Sequence, residues 1–302
     1  MKHIYSDRYD LNLGAHVFPA VKYRLIKERL LAEKLAAPDD FIEPEAAHDE
    51  DLTLVHRQDY VRKLKHGKLS YVDLMRLEIP HSPELVQALW LSAGGSILAA
   101  RLALDEGERI VANIGGGFHH AFPDHGEGFC ALNDVAVAIR KLQKEKVIER
   151  ALVVDCDVHQ GNGTAAIFAG DPTVFTLSIH QENNYPFPKP PSSLDINLPD
   201  RTDDAAYLDE LQKGLTAAFE RFEPDLFFFV AGADPYKEDQ LGGLALTLEG
   251  LKARDELVLR TALERNIPTA IVLAGGYARK VEDTVRIHCN TLVIAHGLLS
   301  HH

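Results

Sequence analysis

Asp157 and His159 stand two positions apart in the run Asp155-Cys156-Asp157-Val158-His159-Gln160-Gly161-Asn162-Gly163. On an extended segment the side-chain period is two, so both project from one face, where they can coordinate one divalent cation. Asp234, which closes Ala231-Gly232-Ala233-Asp234 after another apolar run, supplies a third ligand. Three protein ligands with open positions describe a catalytic rather than a structural zinc site, and two carboxylates with one imidazole also suit Fe²⁺ or Mn²⁺. Taken alone, Asp-x-His is equally a chance pair in a polar loop. Asp234 and the pair His119-His120, at equivalent positions after other apolar runs, weigh against that reading.

Adjacent histidines cannot point the same way on a regular strand, but in an irregular loop after Gly115-Gly116-Gly117 they can flank one water. One can then act as general base while the other stays protonated or hydrogen-bonded to hold charge. Each needs a partner on its second ring nitrogen, and Asp155 and Asn162 are the available candidates. The glycines do not form a phosphate cradle, because no Lys-Ser/Thr follows and the spacing is not GxGxxG; they permit close backbone approach instead. Tyr277, after Gly275-Gly276, is either a packing residue or a hydroxyl donor to an oxyanion.

The elements that must carry these residues read as an α/β chain. Continuous apolar runs at 109–114, 151–154, 174–179, 225–231 and 269–273 predict strands buried on both faces of a mainly parallel sheet. Amphipathic segments near 19–36, 83–105, 131–145, 204–221, 246–264 and 279–298 predict the flanking helices, with Ser82-Pro83-Glu84 and Asn133-Asp134 as caps. The stretch 180–199, with Tyr185-Pro186-Phe187-Pro188-Lys189-Pro190-Pro191, is expected to be a long irregular and functional loop. No linker interrupts the pattern, so residues 1–302 are expected to form one domain. In an open α/β sheet ligands bind outside the carboxyl ends of the strands, and five strand ends here deliver His, Asp and Tyr to one rim.

Composition narrows the class without naming the function. The chain has 302 residues, 46% hydrophobic and 25% charged, with a formal charge of −13 from 32 basic and 45 acidic side chains. That acidity offers no general attraction for nucleic acid or anionic lipid. Cys130, Cys156 and Cys289 are too few for a disulfide framework and suit a reducing compartment. The N-terminus lacks the apolar core of a signal peptide, and no run approaches 18 uninterrupted apolar residues. A cytoplasmic protein that does not enter a membrane is expected.

Together the motifs Gly115-Gly116-Gly117-Phe118-His119-His120, Gly128-Phe129-Cys130, Asp157-Val158-His159-Gln160-Gly161-Asn162-Gly163, Asp234 and Gly275-Gly276-Tyr277 resemble the histone deacetylase superfamily. That superfamily includes acetylpolyamine amidohydrolases and acetoin-utilization-type proteins, and the wording here is nearest its class IV branch and bacterial relatives. The resemblance runs from Tyr5-Ser6 to beyond Tyr277. It implies a single-domain arginase–deacetylase fold, with Zn²⁺ (or Fe²⁺) on Asp157, His159 and Asp234. It implies His120 as general base and acid, His119 as its electrostatic partner and Asp155 as the carboxylate behind His119. Asn162 stands where class I enzymes carry the Asp that partners the catalytic histidine. Tyr277 matches the transition-state tyrosine. Gly128, Phe129 and, counting from Ser178, Phe187 match the acyl-lysine tunnel. A structural monovalent cation such as K⁺ is implied near Asp155, Asp157, His159 and Ser178.

The implied activity is hydrolysis of an acyl, foremost an acetyl, group from an acyl-lysine peptide or an acylated amine or polyamine; an oligomer is compatible with it. One alternative is a binuclear manganese ureohydrolase of the arginase type, although Gly161 stands two residues after His159, where that chemistry wants a further Asp. The other is a non-catalytic acyl-lysine-binding protein, against which the metal set and Tyr277 count.

Overall fold

In the computed structural model of the chain, residues 1–105 and 108–300 are described; the one-domain expectation also takes in residues 106, 107, 301 and 302, which lie outside them. Eight strands form one sheet: β1 (His3–Ile4), β2 (Phe41–Ile42), β3 (Ile110–Asn113), β4 (Ala151–Asp155), β5 (Val174–Gln181), β6 (Leu194–Leu198), β7 (Leu226–Val230) and β8 (Thr269–Val272). Their order is β2-β1-β3-β8-β7-β4-β5-β6, and every pairing is parallel. Buried runs of Val, Ile, Leu and Phe form the centre, as their unbroken apolarity requires.

Alternate residues of each central strand feed two cores. Leu152, Val154, Phe227, Phe229 and Ile271 face the layer of α1 (Lys22–Ala32), α8 (Asp204–Arg221), α9 (Leu248–Glu264) and α10 (Val281–Ser300). Val153, Phe228, Val230, Ala270 and Val272 face α5 (Pro83–Ala103) and α6 (Asp134–Lys144). Ser82 and Asn133 cap α5 and α6 by accepting from Leu85 N and Ala136 N, as their positions in the sequence predict. The sheet is therefore flanked by helices on both faces.

Several elements depart from the sequence expectation. The two-residue strands β1 and β2 are too short for any hydrophobic period. The expected loop 180–199 is irregular over 182–193 and at Pro199, because β5 runs on to Gln181 and β6 (Leu194–Leu198) pairs beside it. Its Leu-Asp-Ile-Asn-Leu sequence is a half-exposed edge strand with polar residues, not a buried run. The helix expected over 19–36 is shorter, ending before Lys34 at φ 57°. Short helices α2 (Asp49–Leu52), α3 (Gln58–Lys65), α4 (Tyr71–Leu77) and α7 (Asn162–Ile167) fill stretches read as connections. Finally, α5 is long and apolar enough to cross a membrane, but 67% of its most apolar window is buried within the protein.

Candidate active site

β4 ends at Asp155, and the chain beyond it turns back on its own carboxylates. Asp155 Oδ1 accepts from Asp157 N (3.1 Å), and Asp157 Oδ1 accepts from His159 N (3.0 Å). Asp234, past the end of β7, accepts from Val158 N through Oδ1 (2.8 Å), while Asp157 Oδ2 accepts from Gly275 N, past β8 (3.0 Å). Backbone N–H groups past two strand ends, β4 and β8, thus hold both carboxylates at His159. Its Nδ1 lies 3.0 Å from Asp157 Oδ1 and 3.4 Å from Asp234 Oδ2.

One donor atom from each of Asp157, His159 and Asp234 lies within 4.8 Å of the others, and all three residues are buried. Among the described residues Asp234 Oδ2 has no hydrogen-bond partner, which is costly for a buried carboxylate oxygen. Two carboxylates and an imidazole so arranged fit a divalent transition metal. The approach leaves no room at residue 275: a Cβ there would collide with the carboxylate oxygens of both Asp157 and Asp234.

The loop after β3 carries His119 and His120. Gly117, at φ 105°, lies against the Ala274 backbone where a Cβ would stand 2.7 Å away. The buried Asp134 carboxylate, at the start of α6, accepts from Gly117 N (3.1 Å) and Phe118 N (2.8 Å) and pins the turn. The two rings lie 4.1 Å apart between centroids, yet their second nitrogens meet different groups. His119 Nδ1 is 2.6 Å from Asp155 Oδ2, whereas His120 Nδ1 is 2.7 Å from the amide oxygen of Asn162.

Burial works against the charged form of both rings. For His119 the charges of Asp155 and Asp157 outweigh it and lift the pKa to about 9. For His120 burial, joined by repulsion from His119 and His159, holds the pKa well below the ordinary value. The neutral ring is fit to accept a proton and the charged ring to stabilise anionic charge.

These groups meet in a narrow cavity lined by Phe18, His119, His120, Gly128, Phe129 and Tyr277, among others. Tyr277 is held through its backbone N, which donates to Asp239 Oδ2 (2.7 Å), and its ring packs 5.9 Å from Phe129. Burial pushes its hydroxyl pKa well up, so it remains a donor.

Phe187 is not part of this wall. Its ring is 72% exposed, beneath the Lys189 ammonium. Tyr185, two residues before Phe187, lies nearer the histidines, edge-on to His120 at 5.0 Å. Both aromatics precede a proline, so only the fold separates them. Ser178 faces Asp155 across β4 and β5, and its Oγ is 2.9 Å from His180 Nδ1.

Three further residues went unread in the sequence. Phe18 forms cavity wall from the turn before α1. Glu127 binds Asn162 Nδ2 (2.6 Å) and Tyr185 Oη (2.5 Å). Lys22 is wholly buried behind the carboxylates, donating to Ala274 O (2.6 Å), its pKa pushed down to about 8 by burial against the pull of Asp234 and Asp157. A lone lysine in an amphipathic helix carries no signal of such a place.

The family profile described as the histone deacetylase domain matches residues 16–292. An uncharacterized protein of Picosynechococcus sp. is 44% identical over 90% of this chain and 90% of its own length. Histone deacetylase 2 of Arabidopsis thaliana is 33% identical over 93% of this chain and 77% of its own. Among solved structures, an HDAC homolog from Aquifex aeolicus superposes with a TM-score of 0.83 at 26% identity, covering 98% of this chain and 84% of that one. The parallel sheet and its flanking helices are the arginase–deacetylase fold. With that fold, and a profile match over nearly its whole length, the chain belongs to the histone deacetylase family.

Proposed function

We propose that this protein is a metal-dependent amidohydrolase that removes an acyl group, foremost acetyl, from an acyl-lysine side chain or an acylated amine or polyamine, with residues 1–302 as one catalytic domain. The observation that carries this reading is the unequal pairing of the two histidines, one with a carboxylate and one with an amide, beside the Asp-His-Asp cluster. Asp157, His159 and Asp234 are the residues to hold the metal, Zn²⁺ before Fe²⁺. When bound, such a metal polarises a carbonyl and lowers the pKa of water from 15.7 towards about 7.

The chain's own groups do the rest. His120, neutral and hydrogen-bonded through Nδ1, takes the proton of the attacking water at Nε2 and returns it to the leaving amine. His119, kept charged by Asp155, stabilises the negative charge that builds between them. Tyr277 donates its hydroxyl hydrogen to the oxyanion. Phe18, Phe129 and Tyr185 exclude water from the acyl chain and strengthen each of these interactions. Free Cys130, Cys156 and Cys289 suit work in the cytoplasm.

A turnover panel tests the proposal: acetyl-lysine peptides, long-chain acyl-lysine peptides and acetylpolyamines, each offered to metal-loaded protein. Release of the free amine from at least one class is expected. A folded, metal-loaded protein that cleaves none of them would contradict it.

A further inference from the structure

Glu127 is the only carboxylate on the far side of Asn162 from His120 among the described hydrogen bonds of that amide. Its backbone exchanges two hydrogen bonds with Cys130 (2.9 Å each), so the side chain leaves a fixed turn. Oε1 accepts from both Asn162 Nδ2 (2.6 Å) and Tyr185 Oη (2.5 Å), and Oε2 lies 3.5 Å from His125 Nε2.

An ionised carboxylate accepts hydrogen bonds and donates none, whereas an amide has a donor end and an acceptor end. Turning the Asn162 amide around would aim its oxygen at Glu127 and set two acceptors against each other. The donor end is therefore committed to Glu127, which leaves only Oδ1 for His120. That acceptor in turn requires a hydrogen on His120 Nδ1 and leaves the lone pair on Nε2. Without the carboxylate, either face of the amide would satisfy the imidazole, because Nδ2 can donate to an unprotonated Nδ1. Asn162 alone does not choose the tautomer.

We propose that Glu127 is a positioning residue that selects the Nδ1–H tautomer of His120 by locking the orientation of the Asn162 amide, and that it anchors the Tyr185 hydroxyl through the same oxygen. Glu127 touches no reacting atom; it acts through Asn162. The inference rests on His120 being the base, but the tautomer itself is observable without turnover.

The experiment uses the full chain labelled with ¹⁵N-histidine, metal-free for long-range ¹H–¹⁵N spectra and metal-loaded for kinetics. The His120 signals are identified by their loss in His120→Asn. In the unsubstituted chain His120 shows the Nδ1–H tautomer. In Glu127→Gln, whose amide can donate to Asn162 and license the reversed orientation, the Nε2–H form appears, and kcat falls about 10–100-fold, the usual size for groups that orient a site from behind. KM stays nearly constant. The double variant Glu127→Gln/Asn162→Asp supplies an acceptor-only group next to His120; it restores the Nδ1–H tautomer and most of the turnover, which a merely misfolded Glu127→Gln protein would not do.

An unshifted tautomer in Glu127→Gln, or a shift that Asn162→Asp fails to repair, overturns the proposal. If no acyl substrate is cleaved by any of the proteins, the catalytic reading fails and the spectra alone decide the role of Glu127.

Discussion

The hydroxyl of Tyr277 is one oxygen atom on a ring that packs against Phe18 and Phe129 and whose backbone is tied to Asp239. Tyr277→Phe therefore keeps the packing and removes only the donor. We expect the variant to fold and bind metal normally while kcat drops about 10²–10³-fold, the usual cost of one oxyanion donor; steady-state kinetics beside metal analysis measures both, and near-normal kcat would remove Tyr277 from the mechanism. At this scale the sequence was legible where chemistry coincides with local spacing. Asp157-x-His159 is readable from its spacing after an apolar run, although the chain there bends past the end of β4 and is not an extended segment; His119-His120 are readable because they follow another apolar run. Asp155 and Asn162 were open as partners, and the structure pairs them with His119 and His120 respectively. Glu127 and Lys22 were illegible because their partners lie 35 and 252 residues away. Phe187 lies exposed outside the cavity lining while Tyr185 packs on His120, a difference between two neighbouring aromatic–Pro pairs that only tertiary packing makes.

At the scale of elements, the site is a meeting of strand ends, and its tightest point is the turn after β8. Gly275 donates to Asp157 Oδ2 and leaves no space for a Cβ between Asp157 and Asp234. Gly275→Ala is expected to push the two carboxylates apart, weakening metal affinity by an order of magnitude or more, with the thermal transition still cooperative. Isothermal titration with Zn²⁺ reads this directly, and unchanged affinity would show that residue 275 does not set the carboxylate geometry. The five central strands were legible because burial on both faces makes them continuously apolar. The edges were not: β1 and β2 are two residues each, and β6 alternates polar residues inside a Pro-rich stretch. Short helices such as α4 and α7 were missed for the same reason, since fewer than two turns show no period.

Across the whole molecule, the −13 charge now divides into two parts. Asp134, Asp155, Asp157 and Asp234 are buried and face histidines, backbone N–H groups or one another, while the remainder mostly solvates the surface. Histidines buried in neutral form weaken the fold as the pH falls. His56 donates from Nδ1 to Phe122 O (2.9 Å) and accepts at Nε2 from Asn133 N (3.0 Å), joining two loops behind the site. Burial, partly opposed by the Phe122 carbonyl, pushes its pKa down to about 4, and burial does the same to His3.

Unfolding returns these rings to an ordinary pKa of about 6.5, so the unfolded chain binds more protons between those values. Their contribution to stability is complete above pH 6.5 and lost as the pH falls towards 4. The denaturation midpoint should therefore fall over this window, and the His56 ring should remain neutral at pH 5 in the folded chain by NMR. A His56 resonance titrating near 6.5 without loss of structure would refute the assignment.

One metal, held by Asp157, His159 and Asp234, is proposed to make this chain an amidohydrolase. The most direct test is to strip the protein with chelator and follow amide turnover as Zn²⁺ is added back. Turnover should vanish on stripping and rise to a plateau at one equivalent per chain. Turnover that survives complete removal of metal, or that requires two equivalents, would contradict the account.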